Sequence, residues 1–174
     1  MRSAARFIRA ALWRQGAGSM ITLHAFTTLL AGCLLVAALV DASISDVRAL
    51  RIADRDSVAV VAAFILLGAN GWPVQELAWH VAAAVAVFAA GAALFALGVW
   101  GGGDVKLCAA LALLTGFVGL PRFLFVMAMV GGIVALAVLA LRGRAAGGQV
   151  PYGLAIAAAG MDWLWRSLPL QLDL

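Results

Sequence analysis

Apolar runs long enough to cross a lipid bilayer fill most of this chain, and they constrain its fold more than any other feature. Hydrocarbon offers no water to a stray backbone N–H or C=O, so each run must satisfy its own backbone, as a helix of about 20 residues does. The first run extends from Ile21 to Val40 and delivers the chain to a charged turn, Asp41 to Asp56, that holds Asp41, Asp46, Arg48, Arg51, Asp54, Arg55 and Asp56. A second, shorter run from Ser57 to Gly71 ends at the turn-like Asn70-Gly71-Trp72-Pro73. A third runs from Leu77 to Val99, where the glycines Gly101 to Gly103 are expected to stop it. The fourth, Val105 to Val118, should turn at Gly119-Leu120-Pro121-Arg122, and the fifth, Phe123 to Leu141, ends in Arg142-Gly143-Arg144 and a glycine-rich loop. The sixth, Tyr152 to Trp165, follows Pro151, whose missing donor suits a first helical position. The expected fold is all-α, a polytopic membrane helix bundle with about six transmembrane spans.

Composition agrees. Of 174 residues, 66% are hydrophobic and 11% charged, which leaves little room for a separate soluble domain. Residues 21–174 read as one membrane domain. Residues 1–20 form a basic N-terminal segment in which Arg2, Arg6 and Arg9 recur at helical spacing, as in an interfacial amphipathic helix. Because Met20 opens the first run directly, that segment also reads as an upstream extension of the start. The net charge of +4 comes from arginines scattered between apolar runs, with no continuous basic patch of the kind nucleic acid would need. Cys33 and Cys108 alone cannot build a disulfide framework or a four-cysteine metal site, and neither His24 nor His80 has a second ligand at metal-binding spacing. No metal and no organic cofactor is expected.

Gly101-Gly102-Gly103-Asp104-Val105-Lys106-Leu107 sets a glycine-flanked carboxylate between two apolar runs, where an ionisable residue is a functional-site hypothesis by default. Six spans put the Asp41–Asp56 turn, this segment and the Arg142–Val150 loop on one side of the membrane, so that Asp46 and Asp104 could meet. That side carries Arg48, Arg51, Arg55, Lys106, Arg142 and Arg144 against Arg122 and Arg166 opposite, which makes it cytoplasmic when the N-terminal arginines are left out of the count. Two carboxyl groups a few ångströms apart share a proton, and such a pair can hydrolyse a peptide bond: one deprotonates water while the other polarises the carbonyl. Gly101 and Gly103, lacking Cβ, would let an extended strand approach. Taken singly, each acid has a plainer reading: Asp104 as a cap of the following helix, and Asp46 as a solvated partner of Arg48 or Arg51. Lys106 reads as a snorkelling or charge-balancing residue.

Three segments resemble the type IV prepilin peptidases, membrane aspartic proteases of the GxGD class, and in particular their short form associated with Flp-type, tight-adherence pili. Gly101 to Leu107 is similar to the family's second motif, including the Lys106-Leu107 that follows the aspartate. Asp46-Val47-Arg48-Ala49-Leu50-Arg51-Ile52 resembles the first motif, but Ala53 and Asp54 stand where the family has Pro-Asn. Val150-Pro151-Tyr152-Gly153-Leu154-Ala155 is similar to the Pro-Tyr-Gly segment that opens the family's last span. Of the two acids in the charged turn, Asp41 and Asp46, only Asp46 has the right spacing to Ile52.

The resemblance implies an aspartic endopeptidase in the inner membrane, with Asp46 and Asp104 as the catalytic pair and Gly101, Gly103, Lys106, Pro151, Tyr152 and Gly153 close to substrate. The implied substrate is a prepilin-like protein whose short basic leader is cut off at the cytoplasmic face, just before its hydrophobic helix. Partners would be that precursor, membrane lipid and components of a pilus or secretion assembly. The two Cys-x-x-Cys pairs of longer relatives have no counterpart here, which predicts no N-methyltransferase activity. Two alternatives belong to other classes: a small ion- or proton-coupled transporter in which Asp46 and Asp104 bind the ion, and a non-catalytic membrane component of a secretion assembly.

Overall fold

Helices with continuous apolar faces build the protein, and among the described residues there is no strand. The structure, a computed structural model, describes the backbone of residues 2–70, 72–142 and 151–172, and the side chains of residues 23–70, 72–141 and 151–167. The side-chain pattern expected for residues 2–15 and the loop with Arg144 lie outside them. The helices are α1 (Arg2–Ala49), α2 (Asp54–Gly68), α3 (Val74–Ala96), α4 (Gly102–Arg142) and α5 (Tyr152–Leu172). Three stretches, Leu23–Ala49, Val74–Ala96 and Gly102–Leu141, are long and apolar enough to cross a membrane. Among the described residues the expected six spans thus become five helices, three of them membrane-capable by length and composition. The 15 residues of α2 rise only about 22 Å, short of a hydrocarbon core of about 30 Å.

Two expected turns move. Asp41 and Asp46 lie on α1, which continues to Ala49, so the turn shrinks to residues 50–53. The helix carries on because its buried stripe does: Leu35, Ala38, Leu39, Ala42 and Asp46 fall on one helical face and all are buried. Ser43 and Ser45 return their hydroxyls to the carbonyls of Leu39 and Ala42, so their polarity costs the helix little. Leu50, at φ 51°, then turns the chain off the helix.

The break expected at Gly119 to Arg122 falls instead at Gly116, with φ 58° and ψ −178°, and the helix runs on through Pro121. Only glycine suits that φ, whereas the fixed φ of proline is helical. A Cβ at Gly116 would also stand 2.9 Å from the His80 ring, whose Nδ1 meets the Leu113 carbonyl at 2.7 Å and which packs on Trp72. The chain reverses there. After the break Arg122 pairs with Asp162 and Gly131 touches Tyr152, so the second half of α4 runs antiparallel to α5.

The glycine run 101–103 does not stop α3. Gly98 does, at φ 70°: its N–H bonds the Phe95 carbonyl and the Val99 N–H bonds the Leu94 carbonyl, a Schellman closure. The first half of α4, apolar on every side beyond Lys106, is the central element, with Leu107, Leu111 and Leu114 fully buried. α2, α3 and α5 pack on α4, and α1 packs on α2 and α5. Close approach is made by glycines: Gly91 receives Val105, and Gly160 faces Leu39 and Leu111.

Candidate active site

The buried stripe of α1 ends at Asp46, one turn before the helix stops, and 95% of that residue is hidden from solvent. Asp104 comes from the opposite direction, in the first turn of α4. Gly101 precedes that helix, and its backbone lies beside the Asp104 carboxylate. The capping reading of Asp104 is therefore compatible with a second task, because its carboxylate lies within electrostatic reach of Asp46.

Asp46 is held by α5. The Gly153 N–H donates to Asp46 Oδ2 at 2.6 Å. A Cβ on Gly153 would stand 2.9 Å from Asp46 Cβ, from Asp46 Oδ2 and from Ile52 Cδ1, so only a bare backbone fits. Gly103 is pressed in the same way by Ile52, with 3.0 Å from a notional Cβ to the Ile52 carbonyl oxygen. At Gly101 the corresponding neighbour is Asp104 Oδ2, at 2.8 Å. The glycines thus admit the Arg51–Ala53 link and the two carboxylates into one small volume at the same end of the bundle.

Asp46, Asp104, Gly101, Gly103 and Gly153 come together, while the other expected site residues stand at the margin. Lys106 reaches away from the pair and donates to Asp54 Oδ1 at 2.7 Å. The Asp54 charge, at the position where the first motif departs, is therefore balanced by the second motif. Tyr152 lays its ring against Gly131 of α4, and Pro151 sits just ahead of α5 rather than in its first turn. Asp41, the other acid of the expected turn, is bound to Arg55 at 2.6 Å. Ile52 is the participant that sequence reasoning missed as a contact. Its only signal was its position after the first aspartate, and nothing local says that it touches two glycines from distant helices. Among the described residues no three His, Cys, Asp or Glu side chains gather as metal ligands would.

A model of the type IV leader peptidase family matches residues 33–136, more than half of the chain. The chain belongs to that family. The matched stretch contains Asp46, Ile52 and the whole Gly101–Lys106 segment, and ends before Pro151, Tyr152 and Gly153. No curated protein and no solved structure matches the chain. Family membership and the long apolar helices make this leader peptidase relative a membrane protein of prepilin-peptidase type.

Proposed function

We propose that this family member is an aspartic endopeptidase that removes the short basic leader of pilin-like precursors at the cytoplasmic membrane face, with Asp46 and Asp104 as its catalytic pair. The observation that carries the reading is the approach of two carboxylates, from α1 and α4, where Gly101, Gly103 and Gly153 leave no room for side chains of their own. Each acid has a backbone amide beside it, Gly153 for Asp46 and Gly101 for Asp104; the bond from Gly153, at 2.6 Å, is the well-formed one and favours an ionised carboxylate, so Asp46 is assigned the base and Asp104 the proton donor. Water then loses a proton to Asp46 as its oxygen attacks the scissile carbonyl, and Asp104 donates to the developing oxyanion. Collapse of the tetrahedral intermediate breaks the C–N bond as Asp46 passes its proton to the leaving amine and the diol hydroxyl returns one to Asp104. The products are the leader carboxylate and the amine of the mature chain.

An ion-coupled transporter would hold its acids near the bilayer midplane. Asp46 lies one turn before the end of α1 and Asp104 in the first turn of α4, which favours chemistry at one face. The reversal at Gly116 supports two passes of the chain within α4. Arg48, Arg51, Arg55 and Lys106 at the aspartate end favour a cytoplasmic placement of that end. Methyl transfer to the new N-terminus is not part of the reading.

The test is co-expression with a pilin-like precursor from the same genome, following leader removal by mass spectrometry. Wild type should cleave. Asp46→Asn and Asp104→Asn, at matched membrane levels, should each lose at least about a thousandfold in rate, because neither half of the pair can run the step alone. Intact precursor with wild type, or cleavage by either variant at the wild-type rate, would sink the assignment.

A further inference from the structure

Asp56, in the first turn of α2, takes no part in the candidate site, yet only 2% of it is exposed. Its nearest cation serves another acid. Arg55 donates from Nε and Nη2 to Asp41 Oδ2 of α1, at 3.0 and 2.6 Å. The same Nε stands 3.9 Å from Asp56 Oδ1, too far for a hydrogen bond, so two carboxyl groups meet at one guanidinium. The Ala53 backbone amide lies beside the Asp56 carboxyl at the start of the helix. Asp56 Oδ2, however, is buried, and no donor among the described residues reaches it. A buried carboxylate oxygen without a donor carries a desolvation penalty that native structures rarely leave standing.

A proton removes the penalty. The Asp41 and Asp56 side chains lie within hydrogen-bonding reach of each other, and two carboxyl groups bond only when one of them is protonated, since an ionised pair offers acceptors alone. Asp41 is the ionised member, because it holds the guanidinium and keeps 42% of its side chain in solvent. Asp56, with 3%, is the one whose charge burial penalises more. Burial and the Asp41 carboxylate raise it above the ordinary carboxylate value, against the smaller opposing pull of Arg55 and of the Ala53 amide. On α4, which also packs on α2, Lys106 is held by Asp54.

Asp41, Arg55 and Asp56 together span the junction of α1 with α2 and bracket the link of residues 50–53. Ile52 of that link packs against Gly103 and Gly153, and the Gly153 N–H holds Asp46. Where α2 starts relative to α1 therefore sets where Ile52 lies. We infer that Asp56 is a positioning residue: as a neutral acid it donates to Asp41, fastens the start of α2 to α1, and so keeps Ile52 against the glycines beside the aspartate pair. Its effect on cleavage rests on the leader-removal reading, whereas the shared proton does not. Once Asp56 loses that proton, two negative charges face each other across one guanidinium and the junction loosens. The folded chain keeps a proton that the unfolded chain releases above about pH 4, so this stabilisation is complete in acid and is lost as pH rises through the folded-state value.

Asparagine separates the donor from the charge: Asp56→Asn keeps a donor for Asp41 at every pH, and Asp56→Ala removes it. In detergent at about pH 5, where an ordinary aspartate is ionised, wild type should show an infrared C=O band of un-ionised carboxylic acid that Asp56→Asn lacks. From about pH 4 upwards, the thermal midpoint of wild type should fall relative to that of Asp56→Asn. No difference band, or a midpoint difference that stays constant with pH, would overturn the shared proton. With a pilin-like precursor from the same genome, and at matched membrane levels, Asp56→Ala should lower kcat about tenfold while KM holds, and Asp56→Asn should stay within about twofold of wild type. Asparagine as damaging as alanine, or alanine as active as wild type, would overturn the positioning role. Where alanine fails to accumulate, Asp56→Asn decides alone, and a loss in kcat beyond about twofold overturns it. Precursor left uncut by wild type defeats the leader-removal reading and the positioning role with it, while the infrared band and the midpoints still decide the shared proton.

Discussion

Gly153 shows what a single missing atom does in this protein. Its N–H reaches Asp46 Oδ2 at 2.6 Å because nothing stands between the α5 backbone and the carboxylate, and a methyl group there would sit 2.9 Å from the same oxygen. Gly153→Ala should therefore leave the chain in the membrane but displace Asp46. A displacement of about 1 Å in a reacting group costs on the order of a hundredfold in rate, so kcat/KM should fall by about that factor with membrane levels unchanged. Ala-like activity equal to wild type would mean that the Asp46 position is not critical. At the same scale, the shared proton sets the pH profile. Acid protonates the base and alkali strips the donor, so activity should fall on both flanks of a bell in kcat/KM. A profile flat from strongly acid to strongly alkaline pH would remove the pair mechanism. The Ala53-Asp54 departure leaves the pair intact in this structure, since Lys106 takes up the Asp54 carboxylate.

Among the elements, helix ends follow backbone conformation more closely than polarity. Charged residues 41–48 suggested a turn, yet they form the last turns of α1 because the buried stripe from Leu35 to Asp46 keeps its helical period. Glycine positions were legible as punctuation, but which glycine would act was not. Gly98 and Gly116, with positive φ, end or break a helix, while Gly102 and Gly103 open one. A matched pair of substitutions separates the two uses. Gly98→Ala meets no atom within 4 Å, so its cost is left-handed backbone strain alone, about 1 kcal/mol. Gly132→Ala, equally uncrowded but inside α4, should be stabilising by up to about 1 kcal/mol. Thermal unfolding in detergent should move the two midpoints in opposite directions; a shared direction would refute the reading of Gly98.

For the whole molecule, the polar contacts divide between two ends. Asp46, Asp54, Lys106 and Gly153 gather at one, and Asn70 with Thr27, and Arg122 with Asp162, at the other. In a Cys33→Ala, Cys108→Ala background, a membrane-impermeant maleimide added to intact cells should label Val74→Cys, at the far end, and reach Arg51→Cys only after lysis. The reverse pattern would invert the proposed orientation.

The sequence by itself determined that the chain is helical and belongs in a membrane, and it marked both aspartates. Those properties follow from apolar length, from the 3.6-residue period and from short motifs, which are written locally. Only the tertiary structure decided that Gly153 would bind Asp46, that Ile52 would lie against Gly103, that α4 would fold back at Gly116, and that α2 and α3 would stand apart. Each of these depends on how closely backbones far apart in the chain can approach, and that distance is set by the volumes of side chains that no local pattern brings together.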